Sequence, residues 1–190
     1  DDMGSLDYGP NGDIRGYGTE VGAFLRLDDL SPSSTFGAID RAIFMNATQT
    51  NARVLIPVAE LHNVLKGTKL NFLLYANNYE EVDGDHPYLT QFSSVGDALT
   101  VFREGKSIAK GTTTSQGLQS NYFVNIFGPP EYYALHEKLA EQYLGDLFDQ
   151  DVFVGMIRTQ LGIPGMEQEG PLLAAQELLN LMQNILNVND

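Results

Sequence analysis

The sequence predicts an α+β fold: an antiparallel β-sandwich followed by a C-terminal helical layer. Short segments that alternate apolar and polar residues recur between Thr19 and Gly128. One of them, "RVLIPVAELHNVLKGTKLNFLLYANN" at 53–78, joins two strand patterns through a connection too short for a typical parallel crossover. Beyond Pro129–Pro130 the pattern shifts to leucine-rich helical spacing. On this reading residues 1–18 are a flexible arm or loop, 19–128 form the sandwich, and 129–190 are a helical segment packed on it.

The arm, "DDMGSLDYGPNGDIRGYG", is rich in Gly and Asp and carries a turn signal at Pro10–Asn11–Gly12. "EVGAFLRLDD" sets Val21, Ala23, Leu25 and Leu27 on one face, as a strand with one buried side does. "AIDRAIFMNA" is a second strand candidate, with helix as its rival. Val54, Ile56 and Val58 share a strand face, and Pro57 marks an edge or an end. "VAELHNVLKG" allows a short helix stopped at Gly67. "KLNFLLYA" places Leu70, Phe72, Leu74 and Ala76 on one face, so Phe72 and Leu74 are expected in the core of a central strand with Val54 and Ile56 nearby.

"EEVDGDHP" follows as an acidic loop, and "SVGDALTVFREGKSIAKG" reads as a hairpin turning at Glu104–Gly105. "TTTSQGLQS" is a polar loop and "NYFVNIFG" a strand. Tyr132, Leu135, Leu139 and Tyr143 fall at helical spacing, and "VFVGMIRTQLG" is read as a second, shorter helix. In "PLLAAQELLNLMQNILNV" Pro171 suits a first helical position. Leu172, Ala175, Leu179, Met182 and Leu186 form one stripe there, widened by Leu178, Leu181 and Ile185.

Composition narrows the function classes. With 11 Lys+Arg against 25 Asp+Glu, the formal charge is −14. So few cations cannot neutralise many phosphates, which argues against nucleic-acid binding and against anionic lipid surfaces. There is no Cys, which removes disulfides, thiol nucleophiles and Cys-based metal sites. No apolar run reaches the roughly 18 residues of a transmembrane helix. The chain opens on Asp1 without a signal sequence, as a mature or trimmed form would.

Little of the sequence points to a reaction. His62, His86 and His136 are scattered and form no HxxxH or HExxH pair. No GxSxG elbow, Walker loop or strand-borne GxGxxG occurs, so a non-enzyme is expected. A hydrolase acting through two carboxylates would have to draw them from residues such as Asp40, Glu60 and Asp97. No cofactor is expected; Glu80, Glu81, Asp83 and Asp85 offer oxygen ligands of the type calcium takes, the one metal the sequence leaves open. Asp7, Asn11, Asp13 and Glu20 form a sparser set that departs from the EF-hand pattern. The ordinary alternative for both sets is solvated turn residues. Asn46–Ala47–Thr48 is a glycosylation sequon of the kind that often arises by chance.

One resemblance rests on "AFLRLDD…AIDRAIFMNATQTNARVLIPVAELHNVLKGTKLNFLLYANN". Over about residues 20–80 it resembles the first sandwich domain of fimbrillin-type surface pilins, with Ala76–Asn77–Asn78 the closest local match. The helical turn after Pro130 departs from that family, whose second domain is normally β, and no Arg cleavage site or donor strand is evident. The resemblance implies a non-enzymatic structural or adhesive subunit of an extracellular or cell-surface assembly. A virion coat or tail-type subunit is the alternative within the same class. Partners are then other protein subunits, including further copies of this chain. Leu172, Leu179, Met182 and Leu186 are the expected assembly interface, acting with the N-terminal arm.

Overall fold

A computed structural model describes residues 4–26, 44–45, 53–109, 117–124 and 128–188. Helices and strands are mixed, as an α+β fold requires. The chain divides into two compact units, Asp1–Leu70 and Asn71–Asp190. The boundary expected after residue 128 is therefore not where the chain divides.

In the first unit, β1 (Ser5–Tyr8) and β2 (Ile14–Tyr17) pair antiparallel, with Ser5 opposite Tyr17 and Tyr8 opposite Ile14. Residues expected as an arm are thus a hairpin. Its turn is the one signalled in the sequence: Gly12 N donates to Gly9 O at 3.0 Å, and Gly12 takes a left-handed φ of 80°. Ile14, only 1% exposed, anchors the hairpin. Against β2 lies β6 (Thr68–Lys69), which follows the short helix α1 (Leu61–Lys66). Gly67 ends α1 at φ 66°, and a Cβ there would stand 2.5 Å from the Tyr17 ring. No other residue fits both constraints.

The second sheet of this unit has the order β3 (Gly22–Arg26), β5 (Arg53–Pro57), β4 (Phe44–Met45), all antiparallel. Pro57 closes β5, as expected. Only Phe44–Met45 of the "AIDRAIFMNA" candidate is described, as strand; Asp40 and the sequon Asn46–Thr48 lie outside the described residues.

In the second unit, β7 (Phe72–Asn77), β11 (Phe153–Arg158) and β8 (Leu89–Gln91) make a sheet in the order β7-β11-β8. β11 runs parallel to β7 and antiparallel to β8. The segment read as a short helix is therefore the central strand. Val152, Val154, Met156 and Arg158 share one face and are buried, while Phe153 and Ile157 on the other face are half-buried, so the run is largely apolar on both sides and shows no polar alternation. A parallel pair, with one strand drawn from the C-terminal segment, differs from the all-antiparallel arrangement expected over 19–128.

The expected hairpin at 94–111 is instead the helix α2 (Val95–Glu104) followed by β9 (Lys106–Ile108). The Ser94 hydroxyl accepts from Asp97 N at 3.1 Å, and Gly105 closes the helix in the left-handed region. Ala98 and Leu99 face the core. β9 pairs with β10 (Leu118–Ser120). The expected strand at 121–128 opens with a single 3-10 turn at Tyr122–Val124. The helix α3 (Tyr133–Asp149) packs on β11 and α2, burying Leu144 and Leu147, and the helix α4 (Glu169–Val188) packs on β11 and β8.

Candidate docking site

The expected interface helix is present, but its two apolar flanks do different work. Gly170 and Ala174 are buried, and Leu178, Leu181 and Ile185 are half-buried, so this flank is the one that α4 packs inward. Leu172 and Leu179, seven residues apart and so on one face of the helix, are 58% and 54% exposed. Met182 is half-buried at the boundary, and the side chain of Leu186 lies outside the described residues. The helix therefore presents leucines outward after its packing against the sheet is complete.

A second apolar surface lies at the start of α3. An open groove of about 240 Å³ is lined by Pro129, Tyr132, Tyr133, Leu135, His136 and Leu139. Tyr132 and Leu135 are more than half exposed. One wall is an aromatic cluster, with Tyr122 stacked on Tyr133 at 4.0 Å and Phe123 against the His136 ring at 4.4 Å. Phe123 and Val124 both have left-handed backbones, φ 51° and 57°, an uncommon and costly conformation for such side chains. The Tyr122 hydroxyl holds this turn by donating to Glu137 Oε1 at 2.7 Å. Arg103 grips the same carboxylate through Nε and Nη2 at 2.7 and 2.8 Å. The guanidinium, followed by the tyrosine hydroxyl, holds the Glu137 carboxyl down at about 2, against an ordinary 4.5. Burial, then the bond to Glu137, pushes the Tyr122 phenol up to about 12.

The acidic loop is organised around its own backbone and one arginine. Glu80 accepts from Arg158 Nε at 2.8 Å, while Arg158 Nη1 reaches Pro87 O at 2.9 Å and Thr90 Oγ1 at 2.8 Å. Asp83 Oδ1 accepts from the backbone N–H groups of Asp85 and His86, both at 2.8 Å. Those bonds, that of His86 first, lower the Asp83 carboxyl below the usual range. Glu81 and Asp85 are exposed. The structure does not gather Glu80, Glu81, Asp83 and Asp85 around a common point, and among the described residues no group of three or more His, Cys, Asp or Glu is placed to hold a metal ion.

The remaining expected residues are dispersed. Asp7 Oδ1 accepts from Tyr8 N, and Asp13 Oδ2 pairs with Arg15 at 2.9 Å. Glu60 pairs with His62 in the first unit, while Asp97 sits in the first turn of α2 in the second, so neither unit holds the two together. Sequence reading missed Arg158 and the Arg103–Glu137–Tyr122 cluster because their partners lie far apart in the chain. The signal for Arg158 was an arginine ending an apolar run.

No family model matches the chain, and no curated protein or solved structure matches it.

Proposed function

We propose that the protein is a non-enzymatic structural or adhesive subunit of an extracellular, cell-surface assembly. The observation that carries this reading is the outward face of α4, where Leu172 and Leu179 stand exposed on a helix whose other flank is already packed. Exposed apolar surface of this kind marks interaction sites in soluble proteins. The pilin-like pattern of residues 20–80 supports the surface setting and the finer view of the small sheets as parts of a sandwich. The polar groups of the second unit are engaged in holding loops, as at Arg158 and Asp83, which suits a scaffold.

The test is light scattering on the full chain with increasing concentration, alone and with protein from its native surroundings, beside a Leu172→Asp/Leu179→Asp variant. Assembly is expected for the parent chain and a marked loss for the variant, with unchanged circular dichroism. A chain that stays monomeric at high concentration and binds nothing from those surroundings overturns the reading.

A further inference from the structure

The edges of two neighbouring strands in the second unit are treated differently. On β9, the outward Lys106 carbonyl is met by the Tyr75 hydroxyl, and the N–H and C=O of Ile108 are both met by the Asn78 side chain, at 2.8 and 2.9 Å. Among the described residues no side chain covers the outer edge of β7 in this way. Asn71 O accepts from Phe153 N at 3.0 Å and Asn77 O from Thr159 N at 2.8 Å. In a parallel ladder alternate residues turn both backbone groups toward the partner. Asn71, Leu73, Tyr75 and Asn77 therefore face β11, and the backbone groups of Phe72, Leu74 and Ala76 point the other way. Among the described residues these have no backbone partner, because β7 ends its sheet.

The edge also lacks the usual protection. Edge strands are commonly shielded by charge, by proline or by shortness. β1 carries Asp7, β3 carries Arg26, and β4, β6, β8, β9 and β10 have three residues or fewer. β7 is six residues long, "FLLYAN", with neither charge nor proline.

We propose that β7 is a self-association edge, on which a second copy of this chain adds its own β7 antiparallel about a two-fold axis at Leu74. This rests on the assembly reading above and names the partner. Only an extended backbone can meet outward N–H and C=O groups at two-residue spacing. The two-fold register is self-complementary: Leu74 meets Leu74 of the partner subunit, and Phe72 meets Ala76 of the partner subunit, large against small. Three facing pairs of this type exchange about six hydrogen bonds. Each copy carries a formal charge of −14, so association strengthens as salt screens the repulsion.

The experiment is sedimentation of the full chain across concentration and salt, with residue-resolved amide exchange. The expected result is a monomer–dimer equilibrium that shifts to dimer with salt, with concentration-dependent protection of the Phe72, Leu74 and Ala76 amides. Ala76→Pro removes an outward N–H and no ladder bond, and Ala76→Lys adds charge at the edge. Both are expected to weaken association at least tenfold with unchanged circular dichroism; if the proline variant fails to fold, the lysine variant decides. Association that survives Ala76→Lys, or fast exchange of the three amides in the dimer, overturns the proposal. Loss of association in Leu172→Asp/Leu179→Asp but not in Ala76→Lys overturns the edge and leaves the assembly reading standing. A chain monomeric under all conditions overturns both.

Discussion

Two arginine–carboxylate pairs hold loops in the second unit, and they sit at different depths. The side chain of Arg158 is 8% exposed where it meets Glu80; that of Arg103 is 44% exposed where it meets Glu137. Geometry favours the outer pair, which is bidentate. Depth favours the inner one, because a guanidinium removed from water is costly to leave unpaired. Geometry and energetic importance are therefore separable here. The inner pair ties the 80–90 loop to the end of the central strand, and the outer pair ties α2 to α3 beside the strained Tyr122–Val124 turn.

The largest effect that tests this contrast is expected at Glu80. Glu80→Ala leaves the Arg158 charge buried with only Pro87 O and Thr90 as acceptors, and should cost about 3 kcal/mol in chemical denaturation. Arg158→Met, which removes the buried charge and keeps an apolar stem, should cost less than Glu80→Ala. If the two variants cost the same, desolvation of the stranded arginine is not the cause.

An intermediate effect is expected at Tyr122. Tyr122→Phe keeps the ring that stacks on Tyr133 and removes the hydroxyl, which donates chiefly to Glu137 at 2.7 Å and lies 3.3 Å from Tyr133 O. The expected cost is about 1 kcal/mol, the worth of one hydrogen bond to a charged acceptor in a partly exposed site. A cost as large as that of Glu80→Ala would place the outer cluster on a par with the inner one and erase the contrast.

What the sequence made legible follows the same division between local and distant causes. The Pro10–Gly12 turn, the end of β5 at Pro57 and the stop at Gly67 depend on neighbours in the chain and are found where the pattern puts them, and the last helix is present but begins at Glu169, two residues before Pro171. The helix α2 was also written locally. Val95, Ala98, Leu99 and Phe102 repeat at helical spacing behind a Ser94–Asp97 cap, but a hairpin reading overrode that period. β11 was harder, because a run that is apolar on both sides has no polar alternation and only its six-residue length separates strand from helix. The core face of β7 was inverted for a related reason. Tyr75 and Asn77 are buried and Phe72 and Leu74 only half-buried, since a buried asparagine is legible only once its side-chain Oδ1 is seen accepting from the backbone N–H groups of Tyr79 and Glu80. Val54 and Ile56 belong to a sheet of the first unit, and Phe72 to a sheet of the second.

For the interface candidates, the sequence showed that α4 is apolar around more than one flank. It could not show which flank the sheet takes, because Leu178 and Leu179 differ in nothing but their angle on the helix. The packing of α4 on β11 and β8 settles this, leaving Leu172 and Leu179 outside.

The smallest expected effect is the acid response of the outer pair. The Glu137 carboxyl is held at about 2 in the folded chain against an ordinary 4.5, so the folded state favours its charged form. A depressed carboxyl contributes its full stabilisation above about pH 4.5 and loses it as pH falls toward about 2. Both partners touch solvent, so the contribution is small and shrinks further in salt. Thermal unfolding of the parent and of Glu137→Gln, compared between neutral pH and pH 3, isolates it. The difference between the two proteins should narrow on acidification, and the narrowing should be weaker in high salt. A difference that stays constant down to pH 3 would mean that Glu137 acts as a neutral-equivalent hydrogen-bond acceptor for Tyr122, and that Arg103 adds position without electrostatic stabilisation.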